Sequence, residues 1–265
     1  MTGLESVFAR AKDEGRAALI GYLPAGYPTL AESKDLLAAM LDGGCDVVEV
    51  GVPYSDPVMD GPTVQMASDK ALRAGFRLRH VFDVVEGISA AGGHAVVMTY
   101  WNPVHRYGVD AFARDLAAAG GHGIITPDLI PDEAEDWLRA SDEHGLHRIF
   151  LVAPSSSDRR LKLTADASSG FIYATAVMGV TGMRDKVGAG ARELVRRTRE
   201  HTSLPIGVGL GVRNGEQAAE VAGFADAVIV GSAFIKAAED EGAQGVRRLA
   251  GELAAGVRSP RPAGS

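Results

Sequence analysis

Cysteine occurs once in 265 residues, at Cys45. That excludes an internal disulfide and any cysteine-rich metal site, fits a reducing compartment, and leaves Cys45 as a small buried hydrophobe. Lysine is scarce too: the six, at Lys12, Lys34, Lys70, Lys162, Lys186 and Lys236, all lie outside the predicted strands, which argues against a Schiff-base aldolase. No apolar run approaches the roughly 20 residues that span a bilayer. The segment Met1–Arg16 mixes Glu5, Asp13 and Glu14 with its cations and has no apolar signal-peptide centre, so a cytoplasmic chain is expected. Nor is there a stripe of Lys and Arg. With 34 acidic against 27 basic residues and a formal charge of -7, nucleic acid and anionic membranes are excluded as partners, and any anionic ligand is small and held locally. The Gly-x-Ser-x-Gly elbow and the Walker sequence are absent. His144 and His147 have a metal-like spacing but flank Gly145-Leu146 at a helix exit, where solvated surface histidines are expected.

What is present is a repeated architecture. Short β-branched runs recur at 17–23, 46–50, 95–100, 123–126, 148–152, 171–175, 205–208 and 227–230, separated by stretches of helical periodicity. This alternation marks a parallel sheet of βα units. Thr29 with Glu32 forms a capping box before the Leu36, Leu37, Met40, Leu41 stripe, and Gly43 follows as a stop; Asn214 with Gln217 repeats the logic. Pro131, followed by Asp132, Glu133 and Glu135, predicts a helix start ahead of Trp137 and Leu138. Eight strands with eight helical stretches predict an α/β chain closed as a (β/α)8 TIM barrel, a doubly wound open sheet being the alternative. Residues 1–257 form its single domain and 258–265 a disordered tail. Leu4, Phe8 and Ala11 share one face of an extra N-terminal helix suited to covering the bottom of the barrel.

Barrel chemistry sits where strands end and βα loops begin. In Asp46-Val-Val-Glu-Val-Gly51 a period of two puts Val47, Glu49 and Gly51 on one face. A carboxylate near the end of a nearly all-apolar strand is costly unless it is paired or functional. The following loop, Pro53 to Pro62, carries Asp56 and Asp60, for which turn and capping roles compete with catalysis. Glu49 on a rigid strand and Asp60 on a loop suit general acid/base work, since unlike environments hold two carboxylates in different protonation states. The second cluster is glycine-rich. Gly207, Gly209 and Gly211 end the seventh strand and Gly231-Ser232 ends the eighth, a pairing that in barrels builds a phosphate site from backbone N–H groups. Met178 to Lys186 reads as a polar loop able to close over it. Tyr22, Tyr100 and Tyr173 stand at or near three strand ends; any one alone reads as packing, and together they suggest a flat, largely apolar ligand beside the phosphate.

These residues resemble the tryptophan synthase α-subunit family over nearly the whole chain. The most specific stretch is Glu49-Val-Gly-Val-Pro-Tyr-Ser-Asp-Pro-Val-Met-Asp-Gly-Pro-Thr-Val-Gln65, with support from Pro127 to Pro131, Leu151 to Pro154, Gly179 to Gly182, Gly209-Leu-Gly211 and Gly231-Ser232. The resemblance implies a barrel that cleaves indole-3-glycerol phosphate to indole and glyceraldehyde 3-phosphate, a lyase step late in tryptophan biosynthesis. It implies no cofactor or metal in this chain, and a β-subunit partner, carrying pyridoxal phosphate, in an α2β2 assembly. Carried over by position, the catalytic glutamate and aspartate fall on Glu49 and Asp60. The phosphate ligands fall on Gly182, Gly211, Gly231 and Ser232, the ordering threonine of the closing loop on Thr181, and the substrate-adjacent tyrosine on Tyr173. Tyr22, Tyr100 and Leu210 become pocket lining, and Asp56, Asn102 and Pro103 face the partner. The chain departs from the family pattern at Val177, Met178 and Leu210, which bears on loop closure and on packing against indole. Two rival readings stay open: a noncatalytic phosphate-binding regulatory subunit and a sugar-phosphate isomerase on the same barrel.

Overall fold

The computed structural model describes residues 3–175 and 184–260. Its parallel strands are β1 (Ala18–Pro24), β2 (Val47–Gly51), β3 (Ala95–Met98), β4 (Gly123–Thr126), β5 (His147–Val152), β6 (Ile172–Thr175), β7 (Ile206–Gly209) and β8 (Ala227–Val230). They close in sequence order, β8 pairing back onto β1, so the eightfold barrel and not the open sheet is the fold. The predicted strands fall within one or two residues of these. Closure explains the unbroken burial of β1, β2, β4 and β8: one face meets the barrel interior and the other the helices.

Alternation along β2 sorts its side chains as the period of two requires. Val48 and Val50 pack outward with the helical layer, and Val47 packs inward with Ile20, Val96, Ile125, Ile149 and Phe171. That inner cluster is completed by Leu4, Val7, Phe8 and Ala11 of the helix Leu4–Asp13, so the N-terminal helix plugs the barrel bottom. Burying those apolar side chains is what holds the plug, at roughly 1.5 to 3 kcal/mol for each large one. Asp46, at the bottom of β2, accepts from Arg16 at 2.7 and 2.9 Å and from the Leu19 N–H at 2.9 Å, so one of the strand's two carboxylates is a structural ion pair.

The local signals work as read, with corrections. Thr29 accepts from the Glu32 N–H, and its hydroxyl donates to the Glu32 carboxylate at 2.6 Å; Asn214 accepts from the Gln217 N–H at 2.9 Å. The helix after Thr29 stops on Gly44, at φ 110°, and Gly43 is its last residue. Pro131 opens a 3-10 turn, Pro131–Glu133, and the helix begins only at Glu135. His147 is not a solvated exit residue. It begins β5, half-buried, with Nε2 3.2 Å from Glu5 Oε1, whereas His144 meets Asp110 at 2.9 Å, so the two histidines serve different contacts. Cys45 is buried beside Gly21, and burial pushes its thiol pKa up. Arg184 to Lys186, assigned from sequence to the polar loop, lie in the helix Arg184–Arg199. Of the tail, Arg258 caps the last helix, and 261–265 lie outside the described residues. Among the described residues no helix is long and apolar enough to cross a membrane.

Candidate active site

At the carboxyl ends of the strands a cavity of about 190 Å³ opens, walled by Glu49, Asp60, Tyr22, Tyr173, Leu151 and Gly231 among others. Glu49 enters it because it is two residues on from Val47, on the inward face near the end of β2. The residue is 2% exposed, and its Oε2 is buried without a hydrogen-bond partner among the described residues. Burial, helped by the negative charge of Asp60, pushes its pKa up to about 8. At neutral pH Glu49 therefore favours its protonated form, with no hydrogen-bond partner at Oε2 among the described residues.

Asp60 arrives from the other side, on the loop between β2 and the helix Pro62–Arg73. Burial raises its pKa, and a hydrogen bond from the Tyr100 hydroxyl pulls it back. The same hydroxyl accepts from the Met59 N–H at 3.0 Å, and the Gln65 amide donates to the Asp60 carbonyl at 2.7 Å. Tyr100 stands behind the loop and pins it, and is absent from the cavity wall; the ring of Tyr54 lies 5.1 Å from its own. Sequence reading missed this role, because the partners are 41 residues apart and a tyrosine at a strand end signals only packing. It also missed Asp128, which accepts from the Trp101 N–H at 2.8 Å and so caps the helix Trp101–Tyr107 from another βα loop.

Two tyrosines are seated on glycines. A Cβ at Gly51 would lie 2.5 Å from the Tyr22 hydroxyl, and one at Gly209 would lie 2.6 Å from that of Tyr173, so both positions exclude side chains. Gly231 lines the cavity and is the N-cap of the helix Ser232–Val257, so a helix N-terminus, which favours an anion, begins at the cavity edge. Gly211, at φ 64°, turns the chain after β7. Leu210 is half-buried against the helical layer and, like Tyr100, stands outside the cavity wall. Asp56 is exposed and accepts from its neighbour Ser55, and Asn102 is exposed and donates to the Tyr54 hydroxyl at 3.2 Å. Pro103 lies in the helix Trp101–Tyr107. Val177, Met178, Thr181 and Gly182 lie outside the described residues.

The chain that builds this cavity has counterparts among known proteins. The family model described as tryptophan synthase alpha chain matches residues 8–258. The chain belongs to the tryptophan synthase alpha chain family. A tryptophan synthase alpha chain from Nocardia farcinica is 66% identical over 256 residues, covering 97% of this chain and 96% of the relative. One from Mycobacterium intracellulare is 62% identical over 255 residues, covering 96% and 94%. A solved structure of Mycobacterium tuberculosis tryptophan synthase superposes with a TM-score of 0.92 at 60% identity, covering 96% of this chain and 98% of the other. A chain of the Pyrococcus furiosus tryptophan synthase complex does so at 0.81 and 32% identity, covering 90% and 98%. Membership carries the family's activity: the chain is a lyase of tryptophan biosynthesis that cleaves indole-3-glycerol phosphate to indole and glyceraldehyde 3-phosphate.

Proposed function

We propose that Glu49 and Asp60 carry this retro-aldol cleavage between them. The supporting observation is the Glu49 carboxyl, 2% exposed and without a partner at Oε2 among the described residues, in the wall of a cavity that also takes in Asp60. A neutral carboxylic acid is the form able to give a proton to indole C3. Protonation turns the ring into an indolenine whose nitrogen is cationic, and the Asp60 carboxylate stabilises that charge. Glu49, now a carboxylate, takes the proton of the hydroxyl on the carbon bonded to C3. The C–C bond breaks, its electron pair restores the indole ring, and the former alcohol carbon leaves as the aldehyde of glyceraldehyde 3-phosphate.

The phosphate is held at Gly211, Gly231 and Ser232, with Gly209 making room for Tyr173. Thr181 and Gly182 complete this end by family position. Asp56, Asn102 and Pro103 belong to a face for the β subunit, and exposed Val58 and Met59 on the Asp60 loop support that assignment. Pyridoxal phosphate belongs to the partner, in an α2β2 assembly. Purified chain mixed with indole-3-glycerol phosphate is expected to release indole and glyceraldehyde 3-phosphate in equal amounts. Turnover of plain sugar phosphates, with no indole release from a substrate shown to bind, would favour an isomerase.

Because Tyr100 pins the Met59–Asp60 segment, Tyr100→Phe removes both hydrogen bonds while keeping the ring. Two lost bonds, one to a charged group, predict a fall in kcat/KM of about tenfold to a hundredfold with thermal stability nearly unchanged. Unchanged steady-state kinetics would show that the loop is positioned by other contacts.

A further inference from the structure

We propose that the hydroxyl of Tyr22 donates a hydrogen bond to a hydroxyl on the three-carbon chain of the substrate, and so holds that chain between the phosphate and the two carboxylates. The inference rests on the lyase reading of this site. Tyr22 is the register partner of Glu49 across β1 and β2, so both side chains rise into the cavity at the same level. Its ring lies across the end of β2. A Cβ built on Gly51 would stand 2.5 Å from the hydroxyl and 2.6 Å from Cε2. The other edge reaches the phosphate end, where a Cβ on Gly231 would stand 3.2 Å from Cδ1. One side chain thus spans from the helix N-cap to the catalytic strand end, under the path that the carbons between phosphate and indole must take.

Placement alone would suit a phenylalanine; the hydroxyl is what needs an explanation. Tyr22 is 9% exposed, and its hydroxyl, which makes no hydrogen bond to a described residue and is not sealed from solvent, opens on the cavity. A tyrosine hydroxyl in an otherwise packed wall ordinarily meets a polar partner. Burial, and then the charge of Asp60, keep the phenol protonated, so it is a donor. The rest of the wall is largely apolar, with Leu151 across the barrel and Ile229 on the neighbouring strand, and its other hydroxyls are those of Tyr173 and Thr175 on β6. The substrate has two hydroxyls between phosphate and ring. A donor seated between those two ends meets one of them.

The test removes each half of the bond in turn. Tyr22→Phe keeps the ring on Gly51 and is expected to lower kcat/KM for indole-3-glycerol phosphate about tenfold, the worth of one hydrogen bond between uncharged partners. It is also expected to leave unchanged the binding of an indolylpropyl phosphate that lacks both chain hydroxyls. Equal losses on the two ligands would mean that the ring and not the hydroxyl matters, and no loss on either would mean that the bond does not form; each overturns the proposal. Glu49→Gln assayed alongside separates this from the lyase reading. Full turnover by that variant sinks the catalytic assignment and the Tyr22 proposal with it, whereas a Tyr22→Phe failure beside a dead Glu49→Gln sinks the proposal alone.

Discussion

Glu49→Gln is expected to abolish indole release, with a loss on the order of 10³-fold, because a general acid contributes about 10² to 10⁴ and here one group makes more than one proton transfer. The amide keeps the shape of the side chain and forfeits only the proton. Stability is expected to move the other way. In the unfolded chain Glu49 ionises near 4.5, and in the fold its pKa is about 8, so the folded state favours the neutral form. Stabilisation from that preference is full below about 4.5 and is lost as the pH rises through 8. The wild-type chain therefore becomes less stable across that window while the Gln variant does not. At pH 8.5 the variant should melt several degrees higher, since about 1 kcal/mol moves the midpoint of a chain this size by 2 to 4 °C. At pH 4.5 the two should melt alike. The same ionisation sets the rate: kcat/KM should fall on the alkaline side of about 8 as the acid form disappears. Near wild-type turnover by a folded Gln variant would remove Glu49 from the mechanism, and equal melting at pH 8.5 would mean that its proton is not held as the burial implies.

Such a trade is expected of a group placed for chemistry, and the sequence displays it. A glutamate in an otherwise apolar strand is visible in a window of six residues, as are the Thr29 and Asn214 caps and the apolar face of the plugging helix, because each depends on neighbours within one turn or one alternation. The eightfold closure is legible from the count of strands, since parallel strands joined by helices leave few ways to bury both faces. What was not legible depends on contacts between distant segments. Asp46 and Glu49 are carboxyl groups three residues apart, one just before β2 and one near its end, yet Asp46 is neutralised by Arg16 while Glu49 Oε2 has no partner among the described residues. Nothing local tells them apart. Pro131 has the chemistry of a helix start, and the chain makes a 3-10 turn there before the helix is resumed at Glu135. The helix exit at Gly145-Leu146 predicts a surface residue at His147, but the docked N-terminal helix brings Glu5 to it from 142 positions away, at 3.2 Å. The Tyr100 to Met59 bond is of the same kind, and it bears directly on function.

That bond is the reason to expect a large effect of the partner. Adding a β subunit is predicted to raise the cleavage rate roughly 10-fold to 100-fold, within the usual range of coupling between sites. Asp60 rides on a loop that Tyr100 holds at the Met59 N–H and Gln65 holds at the Asp60 carbonyl, while Val58 at 77% and Met59 at 52% exposure remain open to solvent. A partner that covers those two side chains removes apolar surface from water only when the loop is seated, so its binding energy favours the seated state in which Asp60 faces the cavity. The coupling is reciprocal. A ligand that favours the same loop position from inside the cavity must tighten the association with the β subunit by the factor by which the β subunit tightens that ligand. Indole release followed with and without a saturating β subunit measures the first effect. Titration of the β subunit with and without a nonreactive indolyl phosphate measures the second. A rate and an affinity that both stay unchanged would mean that the loop is already seated in the free chain, and Asp60 would then be as well placed alone as in the complex.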